Sequence, residues 1–490
     1  MFRVEENQDN RVPMNRRRFL HVTAMSALGT QLQSLQGAQT RKPNIVFIYA
    51  DDLGYRDLGC FGDPEIKTPH LDRLASEGIR LTSFYAAPVC CPSRAGLLTG
   101  RYPQRCGMLS NIRNDMVNYK HRYSPLEYTT SPEMAQGLDL REMTIAQQLK
   151  GAGYTTGVIG KWDSGRAFRF LPLQRGFDFF YGFANTGIDY FTHERYGIPS
   201  LFRGNEQIKE NGYATNLFRR EALRFIQQSK DRPFFLYVPF NAPHGPSNLE
   251  RTGPQAPEEY IRMYGNPPGT ARVRYMANIT CLDAAVGAIV EKLAEYKLDQ
   301  NTLVIFASDN GTTSVGSNLP LRGLKGDMYE GGIRVPFIAR WPGRIPKGAA
   351  SGEFCSTLDM FPTLLHVAGE KPPAQTILDG SNILPVLTDR APSPRKEQFW
   401  ELRAARAARV GNWKWVLEAR RFTPPPDDAP GELYDLSSDI GEKRNLAAEK
   451  PDVLREVRGR WVSWMNEMAR SEPRGPFASR EYFRLLGFPR

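Results

Sequence analysis

Four short apolar runs in the sequence each end in side chains that can bind a metal ion or a charged ligand. The polar residues that follow these runs are Asp51 and Asp52, Lys161, His244, and Asp309 and Asn310. In open α/β sheets, ligands bind outside the carboxyl ends of the strands. We therefore predict that these residues, although far apart in sequence, form one site. Asp and Asn are also common in turns, but that explanation fits two such pairs poorly when Lys and His end the other runs.

The ligand chemistry of this predicted site favours a hard metal ion. Asp51, Asp52 and Asp309 supply carboxylates, and Asn310 supplies an amide oxygen. An all-oxygen set suits Ca²⁺, with Mg²⁺ as the second choice, whereas Zn²⁺ favours His and Cys. The six histidines are scattered, but His244 lies between prolines directly after an apolar run, where a functional role is expected.

The order of apolar and amphipathic stretches after residue 42 predicts an α/β fold. Strand-like runs lie at 44–49, 154–160, 233–240 and 302–307, and helical patterns at 143–150 and 271–296. Thr68 as a cap, Pro69 in the first turn and Gly78 at the exit predict another helix. This alternation is typical of a mostly parallel sheet covered by helices.

The N-terminus has the features of a twin-arginine export signal. Arg16, Arg17, Phe19 and Leu20 precede a stretch of small and apolar residues at 22–29, as such signals require. We assign residues 1–38 to the signal and predict an exported protein, periplasmic or extracellular; a basic tail is the alternative. No other stretch approaches the roughly 20 apolar residues that span a membrane.

The overall charge favours anionic partners. The 490-residue chain has a formal net charge of +11, which attracts anions without specifying which ones. The sequence lacks a zinc finger, an RNA-binding aromatic signature and a long basic tract, so we expect no nucleic acid partner. A sulfated small molecule or polysaccharide is compatible with this charge.

Cys90 and Cys91 are adjacent in a chain that has only six cysteines. The six lack metal-finger spacing and are too sparse for a disulfide scaffold. Residues 87–100 read APVCCPSRAGLLTG. Counted from Cys90, this stretch is similar at every fixed position to the Cys-x-Pro-Ser-Arg-x-x-x-Leu-Thr-Gly motif of the sulfatase family.

Further motifs extend the resemblance to sulfatases, of the alkaline-phosphatase-like superfamily, over residues 43–370. They are ADDLGY at 50–55, GKW at 160–162, APHGP at 242–246, SDNG at 308–311 and KGDMYEGGIRVP at 325–336. Six matches in the same order are too many for coincidence. The resemblance implies a sulfuric ester hydrolase.

The resemblance also implies a modification of Cys90. A formylglycine-generating maturation enzyme would convert Cys90 to formylglycine, whose hydrated aldehyde supplies the nucleophile. Asp51, Asp52, Asp309 and Asn310 would hold Ca²⁺ beside it. A diol oxygen suits such a site, whereas a thiol sulfur is a poor ligand for a hard ion. Cys91 occupies the variable position of the motif and is not expected to be modified.

The basic residues of the motifs receive roles from the same resemblance. Arg94 resembles the arginine that orients the diol. Lys161 and Lys325 resemble the lysines that hold sulfate oxygens and offset the charge of the transition state. His244 resembles the residue that helps to protonate the leaving alcohol.

One position departs from the family pattern. The family commonly reads Gly-Lys-Trp-His, with the His as the base in sulfate release, and this chain has Asp163 at the position of that His. Asp163 is one candidate base, although an ordinary Asp has a pKa of about 3.9. His193, from a neighbouring loop, is a second candidate, and an impaired active site is the third interpretation. We favour an active enzyme.

The C-terminal part is predicted to form a separate small domain. A polar stretch at 370–398 that contains several prolines marks the boundary, so we assign a catalytic domain to 39–385 and a small α+β domain to 386–490. The latter resembles the family's antiparallel sheet with one helix, which we place at 452–468. The fold class is therefore a large mixed, mostly parallel sheet between helices, with a smaller C-terminal antiparallel sheet plus helix.

The substrate is predicted only by class. Export and a basic surface favour a sulfated carbohydrate, by analogy. Tyr190, Phe191 and Tyr196 are candidates for stacking on a sugar ring, with core packing as the alternative. Hydrolysis of a phosphonate or phosphate ester on the same scaffold, or glycan binding by a catalytically impaired homologue, are the competing functions.

Overall fold

The computed structural model describes residues 41–112, 136–250, 252–419 and 429–472, together with residues 124, 126, 127, 134, 425, 426 and 474. The predicted export signal at 1–38 lies outside these residues. From residue 43 onward the chain forms one compact unit. The predicted boundary at 385/386 stays a prediction.

Strands and helices alternate along most of the chain, as the sequence predicts. The strands are β1 Asn44–Asp51, β2 Ile79–Tyr85, β3 Thr155–Lys161, β4 Phe179–Phe183, β5 Glu194–Arg195, β6 Ile198–Pro199, β7 Phe202–Arg203, β8 Glu206–Gln207, β9 Phe234–Pro243, β10 Thr302–Ser308, β11 Arg334–Arg340, β12 Ala349–Ser351, β13 Cys355–Ser356, β14 Glu397–Leu402, β15 Ala405–Val410, β16 Trp413–Leu417 and β17 Glu432–Asp435. The α-helices of the described residues are α1 Pro69–Ser76, α2 Cys90–Thr99, α3 Pro103–Cys106, α4 Ile145–Gly151, α5 Ala214–Ser229, α6 Glu258–Ile261, α7 Ala271–Glu295, α8 Glu330–Ile333, α9 Met360–Val367, α10 Leu384–Thr388 and α11 Pro451–Arg470.

The large sheet is mixed, with a parallel centre. Within the described ranges it has eleven strands in the order β12-β2-β11-β10-β1-β9-β3-β4-β7-β8, with β13 beside β2. β1 runs parallel to β10 and β9, and β3 runs parallel to β9 and β4. β11 is antiparallel to β10 and β2. The predicted mostly parallel sheet is confirmed.

The central strands are buried on both faces, which explains their continuous apolar sequences. All eight residues of β1 are buried. Ile45 and Phe47 pack in one core with residues of α4 and α9, whereas Val46 and Ile48 pack in the other with residues of α1, α5 and α7. Successive side chains of a strand point to opposite faces, so helices cover the sheet on both sides.

Helix α7 is the one helix in the described part of the chain that is long and apolar enough to cross a membrane, although the sequence analysis expected no such stretch. Its predicted apolar stripe, at Leu282, Val286, Ile289 and Leu293, is fully buried against the sheet. We therefore interpret α7 as a core helix.

The start of α1 differs from the prediction in one detail. The Thr68 hydroxyl does not cap the helix; instead it accepts a hydrogen bond from the Gly59 amide. The first amides of the helix, those of His70 and Leu71, donate to the carboxylate of Asp283 in α7. A distant residue therefore supplies the cap that the local sequence suggested.

The C-terminal part forms its own antiparallel sheet, in the order β14-β15-β16-β17. Helix α11 packs against it through Trp461, Trp464 and Met465, which share a core with Phe399 and Trp415. The predicted small sheet with one helix is confirmed.

A buried group of charged residues joins the two sheets. We name it the junction cluster, and its members are Tyr85, Glu330, Arg334, Lys414 and Glu442. The Lys414 ammonium lies 2.9 Å from Glu330 Oε1 and 2.8 Å from Glu442 Oε1. Tyr85 and Arg334 donate to Glu330 Oε2 at 2.5 and 3.1 Å. Because Lys414 belongs to β16 and Glu330 to α8, the cluster connects the small sheet to the part of the chain that contains the large sheet.

The two carboxyl groups of the junction cluster respond oppositely to their surroundings. Against the effect of burial, the cations of Lys414 and Arg334 lower the pKa of Glu330 to about 2. Burial raises the pKa of Glu442 to about 7, and the nearby Glu330 carboxylate acts in the same direction. Glu330 is therefore the permanently ionised partner of Lys414.

Candidate active site

Four neighbouring strands bring the predicted polar residues together. In the sheet, β10, β1, β9 and β3 lie side by side and point the same way. Asp309 and Asn310 follow β10, Asp51 ends β1 and Asp52 follows it, His244 follows β9, and Lys161 ends β3. The predicted convergence at one sheet edge is found.

Cys90 lies at this edge as the first residue of α2. Its Sγ is 3.4 Å from Asp51 Oδ1, 4.0 Å from Asp52 Oδ1 and 3.3 Å from Lys325 Nζ. Every residue of α2 is buried, so the helix is anchored in the core. We name the following residues the catalytic cluster: Asp51, Asp52, Cys90, Arg94, Lys161, His244, Asp309, Asn310 and Lys325.

The donor atoms of the cluster fit a divalent metal ion. Ligand atoms of Asp51, Asp52, Cys90 and His244 all lie within 4.8 Å of one another. Asn310 donates through Nδ2 to Asp52 Oδ1 at 2.7 Å, while its buried Oδ1 accepts no hydrogen bond. A buried carbonyl oxygen without a donor is costly, and it is the kind of atom that a hard cation coordinates.

Arg94 fixes one of the carboxylates of the cluster. Its Nε and Nη2 donate to Asp309 Oδ2 at 3.1 and 2.7 Å, and its Nη1 donates to the Lys161 carbonyl at 3.0 Å. The side chains of Arg94 and Asp309 are completely buried. Removing one member of such a pair leaves an uncompensated buried charge. Arg94 therefore stabilises the position of the Asp309 carboxylate from the buried side of the site.

The two lysines of the cluster occupy different positions. Lys161 is fully buried, and its Nζ lies 2.8 Å from Asp51 Oδ2. Lys325 keeps 16% of its side-chain surface exposed, and its Nζ lies 2.6 Å from Asp52 Oδ1. Lys325 therefore lies on the solvent-accessible side of the site, whereas Lys161 lies on the buried side.

The surroundings shift the protonation of the cluster in opposite directions. Burial and the Asp51 carboxylate raise the pKa of the Cys90 thiol well above its usual range. Burial opposes ionisation of Asp52, but the Lys325 ammonium outweighs it and holds the pKa of Asp52 well below its usual range. An unmodified Cys90 would thus stay a thiol, which is a poor nucleophile.

His244 is a neutral imidazole in this arrangement. Burial lowers the pKa of His244 to about 3, and the ammonium groups of Lys325 and Lys161 act in the same direction. Its Nδ1 is 2.6 Å from the Gly245 carbonyl, which can only accept, so the proton lies on Nδ1. Nε2, 3.8 Å from Asp52 Oδ2, presents its lone pair to the cluster.

Asp163 lies against the catalytic cluster. It follows β3 in a left-handed backbone conformation with φ of 53°, which Asp tolerates better than most residues. Its Oδ2 is 3.5 Å from Lys161 Nζ and 4.0 Å from Arg94 Nε. The position where the family commonly has His is therefore occupied by a carboxylate that contacts two cluster cations.

His193, the other candidate base, is placed elsewhere. Its Nε2 bonds to the Gly212 carbonyl at 2.9 Å, and its amide donates to the Asp189 carbonyl. Burial lowers its pKa, and the groups that affect it are Gly212, Glu210 and Asp189. None of these described contacts involves the cluster, so the structure favours Asp163 over His193. Sequence proximity alone could not show that His193 is used to hold its own loop.

Cys91, which is not expected to be modified, has a specific contact in the structure. Its Sγ lies 3.0 Å from Asp163 Oδ1. Burial and the Asp163 carboxylate raise the pKa of the Cys91 thiol well above its usual range. Asp163 departs from the family pattern, but Cys91 fills a variable position, so no sequence signal pointed to this contact.

Comparison with known proteins identifies the family. A family model described as "Sulfatase" matches residues 43–370, and one described as "N-sulphoglucosamine sulphohydrolase, C-terminal" matches residues 325–462. The N-acetylgalactosamine-6-sulfatase of Canis lupus familiaris is 34% identical over 466 residues, which cover 85% of this chain and 84% of the relative. Arylsulfatase A of Homo sapiens is 34% identical over 485 residues, covering 86% and 87%.

A solved structure agrees with these relatives. The crystal structure of Ps i-CgsB in complex with k-i-k-neocarrahexaose superposes with a TM-score of 0.79 at 31% identity, covering 92% of this chain and 98% of that one. The chain belongs to the sulfatase family and is a sulfuric ester hydrolase.

Proposed function

We propose that this protein hydrolyses sulfate esters of carbohydrates, with Cys90 converted to formylglycine beside a bound Ca²⁺. The observation that carries the proposal is the position of Cys90 Sγ, within 4.0 Å of two carboxylates and one ammonium group. A thiol has no favourable role in that oxygen-rich setting. An aldehyde that is hydrated at this position supplies an oxygen nucleophile and a metal ligand.

The residues that would hold Ca²⁺ are Asp51, Asp52, Asp309 and Asn310, with residue 90 as the fifth. The unpaired Oδ1 of Asn310 supports this assignment, as does the chemistry of the oxygen set. Arg94 keeps Asp309 in place through two hydrogen bonds. The ion would attract the sulfate group and lower the pKa of the oxygen that it binds.

The proposed roles of the two lysines follow from their solvent exposure, and His244 has a separate role. Lys325, on the open side of residue 90, would contact a sulfate oxygen directly. The buried Lys161 would offset the negative charge that develops in the transition state. His244 would protonate the leaving alcohol; this requires a second proton on Nε2, which the negative charge of a bound sulfate ester favours.

A carbohydrate substrate is supported by relatives, and one surface cleft, which contains no residue of the catalytic cluster, offers groups that suit a sugar. Two similar proteins carry sugar sulfates in their names or bind a carrageenan oligosaccharide. Phe191, with 48% of its surface exposed, lines a cleft of about 570 Å³ together with Gln255, Glu258 and Arg274. Aromatic and polar groups together suit a sugar ring. Tyr190 is fully buried, so it belongs to the core.

Mass spectrometry of the tryptic peptide 81–94 tests the proposal. After expression with a maturation enzyme, Cys90 should lose its sulfur while Cys91 keeps it. The converted protein should release sulfate from sulfated oligosaccharides faster than it cleaves phosphate or phosphonate monoesters. An unaltered Cys90, in a host that converts a control sulfatase, would contradict the proposal. A Cys90→Ala variant provides the matched control, because Cys91 should remain unconverted in it.

Export is a further part of the proposal. It depends on the Arg16-Arg17 motif, which lies outside the described residues. N-terminal sequencing of the mature protein from the periplasm should give a start close to residue 39. A full-length protein in the cytoplasm of a host with a working twin-arginine pathway would contradict it.

A further inference from the structure

Cys91, beside the motif cysteine, and Asp163, at the position that departs from the family pattern, contact each other. Cys91 fills the variable position of the cysteine motif, and Asp163 stands where the family commonly has His. The Cys91 Sγ lies 3.0 Å from Asp163 Oδ1, and both side chains are fully buried. Because they come from different elements, α2 and the end of β3, the contact depends on the fold.

The hydrogen bond between them has a defined direction. A carboxylate oxygen only accepts, so the thiol must supply the hydrogen. The Ile112 amide donates to the same sulfur at 3.1 Å, which uses its accepting side. The sulfur is thus held from one direction and directs its hydrogen to Asp163.

The second oxygen of Asp163 remains open towards the catalytic cluster. Oδ2 is buried and accepts no hydrogen bond. Its nearest cations are Lys161 Nζ at 3.5 Å and Arg94 Nε at 4.0 Å, and both are already engaged, with Asp51 and Asp309 respectively. Oδ2 is therefore a buried acceptor without a hydrogen-bond donor, next to two cations of the catalytic cluster.

We propose that the Cys91 thiol is a positioning residue that holds Asp163 so that its Oδ2 accepts the proton during sulfate release. This inference rests on the proposed function. Oδ2 takes one proton from the hydroxyl group at residue 90, and the electron pair of that O–H bond forms the carbonyl bond of the aldehyde. The bond between the same carbon and the sulfate oxygen breaks, and sulfate leaves with the bonding electrons. It returns that proton to water before the next turnover.

The use of a thiol suits this role. A hydrogen bond from a weak neutral donor fixes the carboxylate, yet it stabilises the ionised form much less than a bidentate Arg would. Without the thiol, Asp163 would be free to turn towards Arg94 and Lys161, and both oxygens would be paired with cations. The carboxylate would then be misdirected.

Four variants and one control test this inference. Asp163→Asn should lower the turnover per converted Cys90 by about 10²- to 10⁴-fold, because a general base is lost. Cys91→Ala should lower it by about 10-fold, because the base remains but loses its orientation. Cys91→Ser keeps a donor and should stay near wild type. The double variant Cys91→Ala/Asp163→Asn should match Asp163→Asn alone, since Cys91 acts only through Asp163.

Cys106→Ala is the matched control. Cys106 is fully buried in the same small apolar group as Cys91, but its Sγ faces the Pro103 carbonyl at 3.8 Å. Peptide 81–94 from reactions stopped at steady state should retain sulfate in Cys91→Ala and Asp163→Asn. It should carry none in the wild type or in Cys106→Ala, where release is not slowed.

A measurement on unconverted protein probes the contact without activity. The infrared S–H band that disappears in Cys91→Ala should lie at a lower frequency than the band that disappears in Cys106→Ala. Asp163→Asn should move the Cys91 band to a higher frequency, because a neutral amide accepts more weakly than a carboxylate.

Three outcomes would overturn the inference. These are additive effects in the double variant, equal losses in Cys91→Ala and Cys106→Ala without retained sulfate, and a Cys91 band that does not respond to Asp163→Asn. Failure of the proposed function would look different, because wild-type protein would then show no conversion of Cys90 or no release of sulfate.

Discussion

The catalytic cluster and the junction cluster are both groups of acids and bases buried in the same chain, but they differ in how completely their atoms are paired. In the junction cluster, both oxygens of Glu330 and Oε2 of Glu442 accept hydrogen bonds. Glu442 Oε1 accepts none, but the Lys414 ammonium lies 2.8 Å from it. In the catalytic cluster and its neighbour Asp163, Asn310 Oδ1 and Asp163 Oδ2 accept no hydrogen bond. The distance to a partner, rather than burial or charge, separates the two, because the nearest cation to Asp163 Oδ2 is 3.5 Å away.

This difference indicates what each cluster does. A fully paired buried network holds its elements in one arrangement. Unpaired buried acceptors lower stability unless a ligand or a proton completes them. We therefore expect changes in the catalytic cluster to affect turnover and metal binding, and changes in the junction cluster to affect stability.

Cys90→Ala should have the largest effect on turnover with the smallest effect on stability. Loss of the nucleophile should reduce turnover by more than about 10⁴-fold, while the melting temperature stays close to that of the wild type. Sulfate release from a sulfated oligosaccharide and a thermal melt measure the two effects. Turnover within tenfold of the wild type would remove Cys90 from the mechanism.

Lys414→Ala should mainly lower the stability of the protein. It leaves Glu330 and Glu442 buried without their shared cation, which should cost about 3–5 kcal/mol of unfolding free energy. Urea unfolding measures this loss, and Lys443→Ala, at an exposed position, is the control. Equal stability of both variants would show that the junction cluster contributes little.

Asn310→Ala should weaken Ca²⁺ binding by about 10-fold or more, because it removes the open amide oxygen of the proposed site. Calcium titration by calorimetry measures the affinity. Removing Ca²⁺ from the wild type with a chelator should lower the melting temperature, and Ca²⁺ should restore it better than Mg²⁺. Unchanged Ca²⁺ affinity in Asn310→Ala would contradict the assigned ligand set.

Glu442→Gln should produce the smallest effect, confined to one pH range. The pKa of Glu442 is about 7 in the folded protein, above its ordinary value of 4.5, so the folded state binds the extra proton between these values. Wild-type stability should therefore fall as the pH rises from about 4.5 to 7, relative to the variant, and level off above that.

Thermal melts across this range should show a difference on the order of 2 °C. Glu330 does not contribute to the change, since its pKa of about 2 lies below the range. A constant difference between wild type and Glu442→Gln at all pH values would contradict the assignment to Glu442.

The sequence allowed the main sheet and most of the catalytic cluster to be predicted. Buried parallel strands have continuous apolar sequences, and their polar ends, such as Asp51 and Asp309, must meet at one edge. The cysteine motif separated Cys90 from Cys91 by spacing alone. These features are local or periodic, so a single chain is enough to reveal them.

Contacts between distant side chains could not be predicted in this way. Lys414 lies in an alternating strand and has no sequence feature that distinguishes it from a surface lysine, yet it is buried between two carboxylates. The choice between Asp163 and His193 depended on which loop approaches Lys161. The cap of α1 comes from Asp283, more than 200 positions away.

The loop from Lys325 to Ile333 reaches both clusters within a few residues, because Lys325 contacts Cys90 and Glu330 contacts Lys414. The small sheet is therefore not structurally independent of the site around Cys90. A chimera that replaced it with the corresponding sheet of another sulfatase would need to import Glu330 and the whole loop as well. A cut placed at the apparent linker near residue 385 would divide the ionic contact between Lys414 and Glu330, five residues after the lysine that contacts Cys90.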